Sequence, residues 1–342
     1  MPVEVRHSKD DSAWREFVSA HPGARVEHDL AWRDVFARTY GYQPQYLMVR
    51  DESGVTGVLP LFAASTWRLG RCLVSLPFLD CGGPVASSPW VRDELMAAAR
   101  RQATDLNAAY LEVRTLSPSA DGATTHTHKA KLVLNLVGDA DAMWKAVGPK
   151  VRNQVRRAEK QGLEIRVDTG ERLDMFYRLY SHNMRDLGSP AAPRRLFTHA
   201  FECFGARAKL ITLWLGDQAV AGAVWLHSGR TAYVPWASSL RRFFSLSPNN
   251  LLYWEAIRMA CEARCREFDF GRSTIDSGPY RFKTQWGAQP QQLYWQYYCR
   301  DGVAAPPQPN EQRGFRLASS IWRRLPVCAA NLLGPWIVAR MP

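Results

Sequence analysis

The sequence predicts an α/β protein made of two similar mixed-sheet halves. Three observations predict it. Apolar stretches alternate between strand-like and helical periods along most of the chain. At 342 residues the chain is long for one core and comfortable for two. The halves also echo each other. Val55-Thr-Gly57-Val58 matches Val220-Ala-Gly222-Ala223, and a helix followed by Tyr110-Leu-Glu112-Val-Arg114 is matched by a helix followed by Phe268-Asp-Phe-Gly-Arg272.

Taken in order, helical periodicity covers residues 12–20 and 31–39, and strand patterns follow at 46–50 and 55–62, joined by the turn Asp51-Glu-Ser-Gly54. A strand at 71–76 runs into Pro-Phe-Leu-Asp80-Cys-Gly82-Gly83-Pro, whose glycines allow a close backbone approach. Ser88 and Pro89 open a helix to about residue 105. Strands at 109–114 and 131–136 flank a polar loop over 117–127. One helix is expected over 140–161, with Gly162 as its stop, then helices over 172–186 and 194–204. A meander of three strands, 209–215, 219–227 and 231–237, precedes a helix capped by Ser247 and Pro248 that runs to about residue 264. Strands at 267–270 and 291–298 complete the second half. The expected division is residues 1–138, 139–300 and a helical tail over 301–342.

Composition narrows the partners. A hydrophobic content of 46% with 13 Trp is that of a globular protein. The formal charge of +12 favours an anionic partner such as a phosphorylated substrate, RNA or an acidic lipid surface. The start of the chain is polar and shows no signal peptide, and no run of eighteen apolar residues offers a spanning helix. Seven cysteines at scattered spacing, with Cys261 and Cys265 lacking a second pair, argue for reduced thiols and no metal site. His126 and His128 sit in a Thr-rich loop and suggest no metal site either. These features point to the cytoplasm.

Chemistry concentrates in Asp269-Phe-Gly-Arg272-Ser-Thr-Ile-Asp276-Ser-Gly-Pro-Tyr280-Arg-Phe-Lys283-Thr-Gln-Trp286-Gly287. Carboxylates, guanidinium groups, an amine, a phenol and an indole within so short a stretch suit a charged substrate better than helix packing. A second concentration is the cationic run Lys150-Val-Arg152-Asn153 with Arg156-Arg157-Ala-Glu-Lys160. It either contacts RNA or a nucleotide diphosphate, or is a solvated helix face.

The element order resembles the GNAT acyltransferase fold. Asp-Phe-Gly-Arg followed by Phe282-Lys283-x-x-Trp286-Gly287, together with the basic helix, is similar to the FemAB-like acyltransferases. Asn183-Met-Arg185-Asp-Leu-Gly-Ser-Pro190 and Arg272-Ser-Thr-Ile-Asp-Ser-Gly278 resemble the subgroup associated with PEP-CTERM sorting and exopolysaccharide loci. The resemblance implies two tandem GNAT-like domains with mixed sheets and substrate bound at and near their junction. It implies acyl or aminoacyl transfer to an amine or hydroxyl of a cell-envelope or exopolysaccharide precursor. The donor would be an acyl thioester or an aminoacyl-tRNA, with no cofactor firmly implied. The runner-up is a non-catalytic binding component of an exopolysaccharide or protein-sorting system, and a third reading is an RNA-binding module.

Acyl transfer needs an oriented acceptor, a proton acceptor and oxyanion stabilisation. Lys283 matches the family lysine and would hold a donor anion or the oxyanion, unless it is a solvated helix lysine. Arg272 offers a fork for phosphate or carboxylate, or an ion pair with Asp269 or Asp276. Asp269 and Asp276 are candidate bases or braces for the arginines. Tyr280 and Trp286 line an acceptor pocket or join the core. Asp80 and Glu112 are the comparable candidates of the first half. Asn183 and Arg185 contact substrate or cap a helix end.

One departure concerns the donor. GNAT enzymes place a glycine-rich loop at the start of the helix after the meander, where amides cradle a pyrophosphate. Here Arg241-Arg-Phe-Phe-Ser-Leu-Ser-Pro-Asn-Asn250 contains no glycine, and Pro248 removes an amide. A donor other than acetyl-CoA is expected. The tail, with Arg316, Arg323 and Arg324 and an apolar patch over 332–338, either packs on the first domain or lies on an anionic membrane surface.

Overall fold

A computed structural model describes residues 3–6, 11–52, 54–118, 122–307 and 313–342. Ser53 of the 51–54 turn, part of the 117–127 loop, and the side chains of residues 3–6, Arg313, Phe315 and Arg316 lie outside what is described.

The elements run β1 (Val3–Arg6), α1 (Ser12–Ala20), α2 (Ala31–Tyr40), β2 (Gln43–Pro44), β3 (Tyr46–Asp51), β4 (Gly54–Leu59), β5 (Phe62–Thr66), β6 (Gly70–Val74), β7 (Val85–Ala86), α3 (Pro89–Asp105), β8 (Tyr110–Thr115) and β9 (Thr124–His126). Next come β10 (Lys129–Asn135), α4 (Ala140–Ala146), α5 (Pro149–Lys160), β11 (Leu163–Asp168), α6 (Leu173–Leu187), α7 (Arg194–Phe204), β12 (Ala208–Leu215), β13 (Gln218–Ser228), β14 (Thr231–Ser239) and α8 (Pro248–Glu262). The chain ends with β15 (Glu267–Thr274), α9 (Gly278–Thr284), β16 (Gln289–Gln292), β17 (Tyr294–Cys299), α10 (Arg313–Trp322) and α11 (Val327–Val338).

These elements form two compact units. The first contains Met1–Lys129, Gln292–Glu311 and Ala339–Pro342; the second contains Ala130–Gln291 and Gln312–Val338. In the first, a four-stranded sheet of order β1-β3-β4-β7 accompanies a six-stranded sheet of order β2-β5-β6-β8-β17-β9. Its core joins Leu47, Val49 and Leu59 to Val91, Leu95 and Ala99 of α3 and to Leu111 and Val113. In the second, seven strands follow the order β11-β12-β13-β14-β15-β10-β16. Val151 and Val155 of α5 and Ala256 and Ile257 of α8 pack on this sheet with Phe268, Phe270 and Trp286. Phe176 of α6 stacks edge-on with Phe197 of α7, which meets Trp236 of β14.

Both echoed glycines lie under a helix. A Cβ on Gly57 would fall 2.5 Å from Val91 Cγ1 of α3, and one on Gly222 would fall 2.9 Å from Phe176 Cδ2 of α6. The shared motif therefore marks close helix-on-strand packing in each unit.

Four expectations change. The helix over 140–161 is two helices, because Pro149 cannot occupy a helix interior and instead opens α5. The strand over 55–62 is likewise split at Pro60 into β4 and β5, which lie in different sheets. The 131–136 strand, expected in the first half, lies between β15 and β16 of the second sheet. The 291–298 strand divides: Gln289–Gln292 joins the second sheet, while Tyr294–Cys299 pairs with β8 and β9 in the first unit.

Candidate active site

The second sheet parts between two neighbouring parallel strands. β14 and β15 pair only at Thr231–Glu267, Ala232–Phe268 and Tyr233–Asp269. β14 then stays with β13 as far as Ser239, whereas β15 continues to Thr274 without it. Such a parting leaves strand edges whose amides and carbonyls are open to a ligand or to side chains.

On the β15 arm, Lys283 of α9 is buried, and its ammonium donates to the carbonyls of Gly271 (3.0 Å) and Arg272 (2.9 Å). A solvated lysine would do neither. The sequence folds this way locally because Ser277 caps α9 by accepting from the Tyr280 amide, turning Lys283 back onto the strand it follows. Asp276 lies in that turn, exposed and at φ 61°. Arg272 is half-buried. Ser273, also buried, has a hydroxyl with no hydrogen-bond partner among the described residues.

Asp269 is 1% exposed, and its carboxylate is shared between the Gly271 amide (2.8 Å) and the Lys131 ammonium (2.7 Å) of adjacent β10. It braces a lysine and a turn rather than an arginine. Lys131 was not singled out from sequence. The signal was a lysine in the middle of the apolar strand Lys-Ala-Lys131-Leu-Val-Leu, which rarely occurs without a buried partner. Trp286 belongs to the core, 2% exposed beside Phe270 and Phe282, and Tyr280 packs partly against the same core.

On the β14 arm, Asn183 of α6 donates to the Ser238 hydroxyl (3.3 Å). Beyond β14, a short 3-10 helix over Arg241–Leu246 leads to Ser247 at φ 57°, a conformation that glycine adopts without strain. Ser247 does not cap α8 through its side chain; its hydroxyl donates to Gln154 Oε1 of α5 at 2.6 Å. Lys150, Gln154 and Arg157 lie along one side of α5. That side therefore borders the start of α8, whose dipole favours an anion.

Residues 149–284 match a family model described as an acetyltransferase (GNAT) domain. Similar solved structures span both units. The crystal structure of FemX is 14% identical, with a TM-score of 0.68, over 88% of this chain and 98% of that one. A tandem GNAT protein from the clavulanic acid biosynthesis pathway, solved without AcCoA, is 14% identical with a TM-score of 0.56, over 90% and 99%. The C-terminal domain of a putative lysylphosphatidylglycerol synthetase from Agrobacterium fabrum gives 14%, 0.54, 78% and 87%. No curated protein matches the chain.

The fold is a tandem GNAT fold.

Within this fold several candidates do structural work. Arg152 binds the α4 end by donating to the carbonyls of Lys145 (2.9 Å) and Val147 (2.5 Å). Arg156 lies over the Trp144 ring at 5.7 Å. Lys150 and Asn153 of α5 are exposed, off the buried face formed by Val151, Val155 and Ala158. Arg185 donates to Leu325 O (3.1 Å) and pairs with Asp186 (2.9 Å), so it fastens the tail. The helices of the tail thus pack on α6 of the second unit, while Ala339–Pro342 belong to the first unit, where the Tyr42 hydroxyl donates to Ala339 O (2.9 Å).

Asp80 and Glu112 belong to the first unit and are buried. Glu112 pairs with Arg114 at 2.6 Å, and Arg114 also donates to Leu79 O (2.9 Å). The glycines between them approach protein, not ligand: a Cβ on Gly82 would meet Leu76 at 2.7 Å, and one on Gly83 would meet Arg114 O at 3.1 Å. Each of the seven cysteines is a free thiol. Among the described residues no group of three or more His, Cys, Asp or Glu could hold a metal ion, and no helix is long and apolar enough to cross a membrane.

Proposed function

We propose that this protein transfers an acyl or aminoacyl group to an amine, or a hydroxyl, of a cell-envelope or exopolysaccharide precursor, with the reaction at the parting of β14 and β15. The observation that carries this reading is Lys283, a buried ammonium fixed on two carbonyls of the diverging strand. A preorganised cation there would stabilise the oxyanion of a tetrahedral intermediate. Strand edges on both arms would hold the acyl chain or the acceptor by backbone hydrogen bonds. The side of α5 carrying Lys150 and Arg157, beside the start of α8, would receive the phosphates of the donor. Arg272 and Asn183, one on each arm, would position the acceptor. Asp269 keeps Lys131 and the Gly271 turn in place. That leaves Asp276, exposed in its turn, as the candidate base of the pair. Donors of two classes suit this site, an acyl thioester and an aminoacyl-tRNA. Ser247 and Pro248 in place of a glycine loop favour the one that does not require amides at that point.

The alternative, a binding component that keeps the fold without turnover, draws support from that same altered start of α8. Mass spectrometry of the envelope glycan from cells with and without the protein tests the proposal. An acyl or aminoacyl mass present with it and missing without it is expected, and an unchanged glycan overturns the proposed substrate.

A further inference from the structure

The C-terminal helices are divided into an anchored side and an outward side. On the anchored side, Ser319 donates its hydroxyl to Gly188 O (2.9 Å) and Arg323 donates to Leu187 O (3.4 Å). Asn331 donates to the Ser181 hydroxyl (3.4 Å). Gly334 sits so close to Ala191 that a Cβ would lie 3.0 Å from its backbone nitrogen and oxygen. With the Arg185 bond to Leu325, these contacts seat α10 and α11 on the end of α6 and the loop after it.

The outward side is apolar. Leu317 and Ile321, one turn apart on α10, are 65% and 56% exposed; Leu332 and Trp336, one turn apart on α11, are 80% and 55% exposed, with Leu333 between them at 46%. A surface helix of a globular protein normally turns such residues inward and its polar residues out. Here Ser319, Asn331 and Gly334 face the protein while the leucines, isoleucine and indole face away.

Charge selects what covers this face. Residues 312–342 contain no Asp or Glu, yet carry Arg313, Arg316, Arg323 and Arg324 ahead of Arg340. Arg323 and Arg324 are exposed at the turn between the two helices. Apolar side chains and an indole, on a segment whose sequence has arginines and no acidic side chain, fit the boundary between acyl chains and phosphate head groups. We propose that the outward face of α10 and α11 seats the protein on an anionic lipid surface. The leucines and Trp336 enter the interface and the exposed Arg324 meets lipid phosphates. This holds whatever the second unit transfers.

The test uses the full chain and two sets of vesicles, one of phosphatidylcholine alone and one with about a third phosphatidylglycerol. Co-sedimentation with the anionic vesicles is expected, weakening with added salt. The exposed pair Leu332→Glu with Trp336→Glu should weaken it by about a hundredfold at an unchanged melting temperature. Arg324→Glu should weaken it about tenfold. Equal binding to neutral vesicles, no binding to either set, or a double variant that binds like the parent would each overturn the proposal. So would a concentration-dependent dimer, abolished by the double variant, in a protein that ignores both vesicles; a second copy would then be the occupant.

Discussion

At the scale of single residues, Lys131 and Asp269 form a buried pair whose members depend on each other. Removing one partner strands a charge, so Lys131→Met or Asp269→Asn should cost about 3–5 kcal/mol in urea unfolding. Replacing both by apolar residues should recover most of that loss. If the single variants melt like the parent, the pair is not holding β10 to β15. Lys283 differs, because its amine lies at the parting of the strands. Lys283→Met keeps the stem but removes the donor, and should cut transfer by about a hundredfold or more with only about 1–3 kcal/mol lost from the unpaired carbonyls.

Burial also gives the fold an alkaline limit. It pushes the Cys265 thiol up to about 11 and the Tyr180 phenol up to about 12. Both groups are neutral when protonated, and their folded values lie above the unfolded ones of 9.0 and 10.0. Their contribution is therefore complete below about pH 9 and is lost as pH rises through 11 and 12. Melting temperatures should be flat from neutral to about pH 9 and then fall, with a shallower fall in Cys265→Ala. A parent and variant that fall in parallel would contradict this.

Lys283, Asp269 and Arg272 stand out in the sequence as candidates because they crowd one segment after a strand. Lys131 was not, since its partner is 138 positions away in the chain numbering and the strand order that joins them is a tertiary fact. Arg152 and Arg185 looked like ligand contacts because residue type alone does not distinguish a phosphate from a helix-end carbonyl. Both satisfy carbonyls that helix geometry leaves open.

At the scale of elements, most helices and the three-stranded meander were readable from periodicity. The errors cluster at prolines, where apolar patterns run on across a backbone that cannot. Pro149 separates α4 from α5, and Pro60 separates β4 from β5. Arg152 then matters as the clasp across the first break: Arg152→Ala should lower stability by about 1–2 kcal/mol, read by urea unfolding, and an unchanged midpoint would remove its role. The echoed glycines can be tested in the same way. Gly222→Ala forces a methyl onto Phe176 and should cost about 1–3 kcal/mol.

At the scale of the whole molecule, the duplicated α/β plan was visible but the path between units was not. No local pattern tells a strand which sheet to join, and β10 and β17 each enter the unit opposite to the one their position in the chain suggested. A fragment of residues 1–138 would lack β17, which lies between β8 and β9 in the six-stranded sheet. Expressed alone, it should be insoluble or melt without cooperativity. A sharp, reversible transition from that fragment would show that the first unit is complete without the returning strand.

The central claim is that the second unit performs transfer at the parted strands, and complementation by Lys283→Met tests it most directly. In cells lacking the native copy, a folded Lys283→Met protein at parental abundance should leave the envelope glycan without the acyl or aminoacyl mass that the parent restores. Restoration of that mass by Lys283→Met to the parental level would contradict the claim.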